Sequence, residues 1–314
     1  MSIHCSKSHF LERFLRKKIS EKNFSRTFAI VEPQKQKVSK IRSVPDHIEA
    51  PTYVKSYKQY LQEVKPIFNK KKTPEDIANH RSACKLARRI LDEIGKLVKP
   101  GVTTDHLDSV AHQLCIENNA YPSPLLYRKF PKSICTSVNN VACHGIPDDR
   151  PLQNGDVINI DVTVYKNNHH GDVSYTYPVG DNVDNTALHL ISVAKLCRDE
   201  AIKICRPGQR FNAIGKVISE IVRQNNMTVV PDICGHGIGQ FFHGPPEIIH
   251  TANDDEGTMK EGMTFTIEPV VCLGEPDIEV LNDGWTIVTR DNSMSAQFEH
   301  TILITSDGFE ILTL

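Results

Sequence analysis

The chain has 314 residues, 39% of them hydrophobic and 24% charged, with a formal net charge of -1. That length holds one large domain or two small ones; the near-neutral balance gives no basic surplus for nucleic acid; and no apolar run approaches the roughly 20 residues that span a bilayer. Nine cysteines, an odd number with no CxxC pair, fit buried thiols in a reducing compartment better than a disulfide framework or a thiolate zinc site.

Residues 1–31 carry seven Lys/Arg against two acids, Glu12 and Glu21. Phe10, Leu11, Phe14, Leu15 and Ile19 recur at helical spacing, so one face of such a helix is apolar and the other basic. This reads as a mitochondrial presequence, with a basic tail on a cytosolic protein as the alternative. Residues 32–74 are polar and Lys-rich, with prolines at 33, 45, 51, 66 and 74, as expected of a linker or surface-hugging extension.

From residue 75 to the C-terminus a single folded domain is expected. Thr73-Pro74-Glu75-Asp76 is a helix start, with Thr73 as N-cap and Pro74 at the first position. Ile77, Ala83, Leu86, Ala87, Ile90, Leu91, Ile94 and Leu97 then keep a 3.6-residue period up to Pro100-Gly101. A second helix is predicted over about 104–117. Another pair follows over 188–205 and 211–225, divided by Pro207-Gly208. The two halves superpose at one offset: Pro100-Gly101 on Pro207-Gly208, Asn118-Asn119 on Asn225-Asn226, Gly155 on Gly262 and Asp161 on Glu268 each lie 107 residues apart. An α+β unit of helix, Pro-Gly, helix and strands is therefore used twice. Asp161 and Glu268 then occupy equivalent points on strands that face each other across a cleft.

Asp161 interrupts the run from Val157 to Val164, Glu268 the run from Met263 to Val271, and Glu299 the run from Ala296 to Ile304. A lone carboxylate in a half-buried strand costs several kcal/mol unless its charge is compensated. A hairpin turn at Lys166-Asn167-Asn168 would set Asp161 directly opposite Asp172, with Cβ atoms about 4.5–5.5 Å apart; by itself, Asp172 after Gly171 could equally end a turn. His236 stands in Gly235-His236-Gly237-Ile238-Gly239, where glycines would let the backbone approach a ligand. An isolated histidine is usually structural, but four carboxylates and one imidazole together suit a pair of divalent Mn, Fe, Co or Zn ions. Two such ions support hydrolysis of an amide or a phosphoester. The missing phosphate-cradling loop weighs against the phosphoester, and neither HExxH nor GxSxG occurs.

Seven motifs follow one another in this domain: Phe130-Pro131-Lys132-Ser133-Ile134-Cys135-Thr136-Ser137-Val138-Asn139, Cys143-His144-Gly145-Ile146-Pro147-Asp148, Asn159-Ile160-Asp161-Val162-Thr163, Gly171-Asp172-Val173-Ser174, Gly235-His236-Gly237-Ile238-Gly239, Phe265-Thr266-Ile267-Glu268-Pro269 and Gln297-Phe298-Glu299-His300-Thr301. With them the chain resembles type I methionine aminopeptidase. The resemblance implies the pita-bread fold, a curved antiparallel sheet with flanking helices and an internal pseudo-two-fold repeat. It implies two divalent ions, with Asp161 chelating one, Asp172 and Glu299 bridging, His236 and Glu268 completing the other shell, and Thr163 and Thr266 donating hydrogen bonds from behind. His144 and His243 match the family's two catalytic histidines, His243 facing the oxygen of the tetrahedral intermediate and His144 the scissile nitrogen, while Glu268 carries the proton. Tyr127, Phe130, Cys135, Phe242 and Trp285 fall where relatives line the methionine pocket. Arg128 and Lys129 depart from the bacterial pattern and are expected to tune the second substrate residue. The implied substrate is the N-terminal methionine of nascent chains with a small second residue, cleaved by a monomer that meets the ribosome, in the mitochondrial matrix or else the cytoplasm. Two alternatives stand beside this: an X-Pro aminopeptidase or prolidase on the same fold, whose large N-terminal domain 1–74 cannot supply, and a non-catalytic scaffold, which would not need all five ligands.

Overall fold

Five α-helices form in the computed structural model, which describes residues 28–68 and 70–314: α1 (Tyr57–Val64), α2 (Pro74–Gly95), α3 (Thr104–Glu117), α4 (Asn185–Lys203) and α5 (Asn212–Gln224). The expected presequence helix lies outside the described residues. Helix α2 starts where Thr73 predicts: its hydroxyl accepts from the Asp76 amide while the Asp76 carboxylate accepts from the Thr73 amide, so two orphan donors are satisfied reciprocally. Ala83, Leu86, Ala87, Ile90, Leu91 and Ile94 form its buried stripe against the hairpin Val157–Lys166 and His169–Pro178.

That hairpin corrects the predicted register. Asn167 and Asn168 both take left-handed backbone (φ 50° and 59°), giving a two-residue turn closed by Lys166 opposite His169. Asp172 therefore pairs with Thr163, and Asp161 with Ser174. The two aspartates remain on one face but as diagonal neighbours, because strand side chains alternate with period two.

Val157–Lys166 also pairs on its other edge with Cys135–Val138 and Tyr121–Pro122. In the second half a five-stranded antiparallel sheet runs in the order Phe309–Ile311, His300–Ile304, Thr264–Ile267, Cys234–Gly237, Gly244–Ile249. Two three-stranded antiparallel sheets complete the set. The expected continuous strands through Glu268 and Glu299 are each broken. Pro269 has no amide to give a ladder, so Thr264–Ile267 ends before Glu268 and Val270–Cys272 joins a different sheet. Ser295–Gln297 and His300–Ile304 part at Phe298-Glu299 and likewise join different sheets. The breaks lie side by side, with Ile267 opposite His300 before them and Val270 opposite Gln297 after them.

The 107-residue repeat is present in the backbone itself. Gly101, Asn119 and Gly155 have positive φ (89°, 51°, 100°), and so do their partners Gly208, Asn226 and Gly262 (80°, 54°, 84°). The Gly101 amide donates to Leu152 O at 2.8 Å, and the Gly208 amide to Met259 O at 2.9 Å, each pair again offset by 107. Each half has its own apolar core, one under α2 and α3 and the other under α4 and α5. This is the α+β pita-bread arrangement, with helices flanking antiparallel sheets built twice.

Residues 28–68 lie along the surface of the first half and reach the second at Phe28, Tyr60 and Phe68. Asn139 Nδ2 donates to Ala29 O at 2.8 Å, the Val31 amide to Asn140 Oδ1 at 2.7 Å, and Arg42 Nε to Asp108 Oδ2 at 3.1 Å. Eight free cysteines occur among the described residues, and all but Cys234 are buried.

Candidate metal centre and substrate cleft

The unbroken strand Val157–Lys166 and its hairpin partner carry Asp161 and Asp172 on one face, while the two strand breaks of the second half aim Glu268 and Glu299 at them. The halves are stitched at this seam: the Glu299 amide donates to Ser174 O at 3.1 Å and Thr301 Oγ1 to Asp172 O at 2.8 Å. His236 reaches in from Cys234–Gly237. Its flanking glycines are there for the neighbouring backbone and not for a ligand, since a Cβ on Gly235 would strike Thr266 O and one on Gly237 would strike Pro245 O. His236 Nε2 lies 3.7 Å from Asp172 Oδ2 and 3.6 Å from Glu268 Oε1.

Hydrogen bonds fix these side chains from behind. Thr163 Oγ1 donates to Asp172 Oδ1 at 2.6 Å, and Thr266 Oγ1 to Glu268 Oε1 at 2.7 Å. Thr266 also accepts from the His236 amide at 2.9 Å, so one hydroxyl orients two candidate ligands. Asp161 Oδ1 and Glu299 Oε1 are buried with no partner among the described residues.

Electrostatically the cluster is unstable on its own. Burial, with the neighbouring carboxylates adding repulsion, pushes Asp161 and Glu299 well above the carboxylate range. Burial likewise pushes Asp172 up to about 7 and Glu268 up to about 8, and drives His236 down to about 3. Divalent cations would reverse the carboxylate shifts, because they stabilise several carboxylates at once and take a neutral imidazole. Oxygen-rich ligands with one nitrogen, two orphaned carboxylate oxygens, and Asp172, His236 and Glu299 each offering an atom within 4.8 Å of the others fit divalent metal binding.

The cluster floors a cleft of about 460 Å³ lined by the five candidate ligands, His144, His243 and the five expected pocket residues; Thr266, Arg128 and Lys129 lie outside its lining. Tyr127 stacks on His243 (5.1 Å, 27°), Phe242 packs beside it, and Trp285 meets Phe130 edge-on at 5.2 Å and His144 at 5.8 Å. Phe130, Tyr127, Cys135 and Phe242 are buried, and Trp285 is half-buried. His144 and His243 each have a buried Nδ1 without a partner among the described residues. Burial pulls His144 down to about 3 and His243 well below its ordinary value, so both imidazoles are neutral. His144 sits in left-handed backbone (φ 52°), a strained conformation for a non-glycine residue.

The model of metallopeptidase family M24 matches residues 78–306, which contain all of this machinery. The chain belongs to metallopeptidase family M24. Among M24 relatives, methionine aminopeptidase 1D, mitochondrial, from Homo sapiens is 53% identical over 279 residues, spanning 88% of this chain and 81% of that one. The crystal structure of methionine aminopeptidase from Rickettsia prowazekii superposes with a TM-score of 0.76 at 48% identity, over 78% of this chain and 99% of that one. The prolidase from Pyrococcus horikoshii OT3 shares the fold, with a TM-score of 0.63 at 18% identity over 82% of this chain and 66% of its own.

Some contributors to this M24 site carry little signal in the sequence. Gln297 Nε2 donates to Glu268 O at 3.0 Å and to its Oε2 at 3.3 Å; a lone polar residue in a strand does not announce such a role. His250 Nε2 accepts from the Glu268 amide at 3.2 Å and carries no local signal. Pro124 lines the cleft from a turn that only tertiary structure brings there.

Proposed function

We propose that this M24 peptidase is a dinuclear metal-dependent aminopeptidase that removes the initiator methionine, preferentially before a small second residue. The observation that carries the proposal is the juxtaposition of five candidate metal ligands with an aromatic, sulfur-bearing pocket in one cleft. Asp161, Asp172, His236, Glu268 and Glu299 would hold two divalent ions (Co, Mn, Fe or Zn). Bound there, such ions supply an activated water, polarise the scissile carbonyl and anchor a free α-amine.

The protein's own groups do the rest. Tyr127, Phe130, Cys135, Phe242 and Trp285 enclose the methionine side chain, whose polarizable thioether suits aromatic and thiol neighbours. His243, neutral and stacked on Tyr127, donates a hydrogen bond to the carbonyl oxygen as charge develops there. His144, braced against Trp285, contacts the scissile nitrogen. Glu268 takes the proton from the attacking water and returns it to the departing amine, its other bonds to Thr266 and Gln297 keeping it in place. Arg128 and Lys129, exposed beside Tyr127, tune the second substrate residue. If neutralising both leaves selectivity over small second residues unchanged, that role is wrong.

The double variant Asp161→Asn, Glu299→Gln tests the metal assignment. We expect metal analysis to show two ions in the parent protein and at most one in the variant, with methionine release abolished. Full metal content and activity in the variant would overturn the assignment. The same reading places the protein in the mitochondrial matrix, acting as a monomer on nascent organelle chains near the ribosome. Residues 1–45 fused to a reporter should carry it into mitochondria, whereas a diffuse cytosolic signal would contradict this destination.

A further inference from the structure

Helix α1 and the turn before it contain none of the seven motifs, yet they back one wall of the cleft. Tyr53, Tyr57 and Tyr60 surround Tyr127, with ring centroids 5.0, 5.7 and 6.5 Å away and all three nearly perpendicular to it. Tyr60 is 3% exposed, and its hydroxyl accepts the amide hydrogen of Phe242 at 2.8 Å. Phe242 and His243 are consecutive, both lie in the cleft, and Tyr127 stacks on the second of them. Tyr53 is fixed in turn, its hydroxyl donating to Ser123 O at 2.6 Å.

The loops braced in this way need bracing. Leu126, Arg128 and Lys129, on either side of Tyr127, have φ of 62°, 47° and 72°. Non-glycine residues in that region are strained and persist only when the surroundings over-determine them. The Phe242 amide is likewise buried, and without the Tyr60 oxygen it would lose its partner.

We propose that Tyr60 is a positioning residue: by taking the Phe242 amide and packing on Tyr127 it sets His243 against the substrate carbonyl, which makes the N-terminal extension a working part of the substrate site. The inference rests on the aminopeptidase reading above. Removing the hydroxyl shifts the backbone that carries His243. Because His243 acts on charge that develops during reaction, the loss appears in kcat more than in KM.

The test compares the manganese-loaded full chain with Tyr60→Phe, His243→Ala and the double variant on the tripeptide Met-Ala-Ser, alongside hydrogen exchange. Tyr60→Phe should lower kcat about tenfold with KM changed less than twofold, and should cost less than twofold once His243 is already alanine. Exchange should quicken at residues 241–243 while α1 keeps its protection, a pattern that general loosening of the extension would not give. Parent-like kcat in Tyr60→Phe, the same tenfold loss in the His243→Ala background, or uniform loss of protection across α1 would overturn the positioning role while leaving the aminopeptidase reading intact. A parent protein that fails to cleave Met-Ala-Ser would overturn both.

Discussion

Thr266 shows how much of the site depends on a residue that never needs to touch a metal. Its hydroxyl accepts from the His236 amide and donates to Glu268 Oε1, so a single side chain sets the aim of two candidate ligands. Thr266→Val keeps the volume and deletes both bonds. Such supporting contacts are worth about 10–100-fold in metal affinity, and titration of the metal-free variant should show a loss of that size without a change in fold. His243→Ala should instead leave metal affinity intact and lower kcat by about 10²–10³. At this scale the sequence was most legible where chemistry conflicts with environment. Asp161, Glu268 and Glu299 stood out because charge does not belong in apolar runs. Gln297 and Pro124 are polar or cyclic residues of ordinary kinds, and only the fold gives them a place at the site.

Among the elements, boundaries written in local chemistry were readable and those set by long-range pairing were not. Thr73-Pro74 with Asp76 announces α2, and Pro-Gly with Asn-Asn marks both copies of the repeat. The hairpin register differs by two residues from the one expected, because it depends on both asparagines adopting left-handed backbone. The strand breaks at Glu268 and Glu299 are not visible in the apolar runs; one follows from Pro269, the other from pairing with its neighbour. Two predictions belong here. Gly171 packs on α2 so closely that a Cβ would collide with the Cys84 backbone; Gly171→Ala should destabilise the protein by about 1–3 kcal/mol in denaturant titration. Arg81 of α2 holds Glu310 of the last strand with hydrogen bonds of 2.7 and 2.8 Å, which lowers the Glu310 carboxyl below its ordinary value. A depressed acid contributes stability above its unfolded value and loses it as pH falls through the folded one. The stability gap between the parent and Glu310→Gln should therefore be present at pH 7 and shrink below about pH 4. A gap that grew in acid would refute the pairing.

For the whole molecule, two similar halves, each with its own core, meet at a seam of buried carboxylates whose burial and mutual repulsion oppose ionisation. Metal binding is thereby coupled to folding: a free ion at about 100 times its Kd should add about 2.7 kcal/mol to stability, and thermal melts with and without chelator read it directly. Surface extension, cleft and metal seam converge on one claim, that the cleft measures a single methionine from a free N-terminus. The most direct measurement offers the metal-loaded protein Met-Ala-Ser and Ala-Pro-Ala in equal amounts, with and without chelator. The expected result is methionine release from the first, little cleavage of the second, and loss of activity on chelation. Preferential cleavage of Ala-Pro-Ala, or methionine release that survives complete removal of metal, would contradict it.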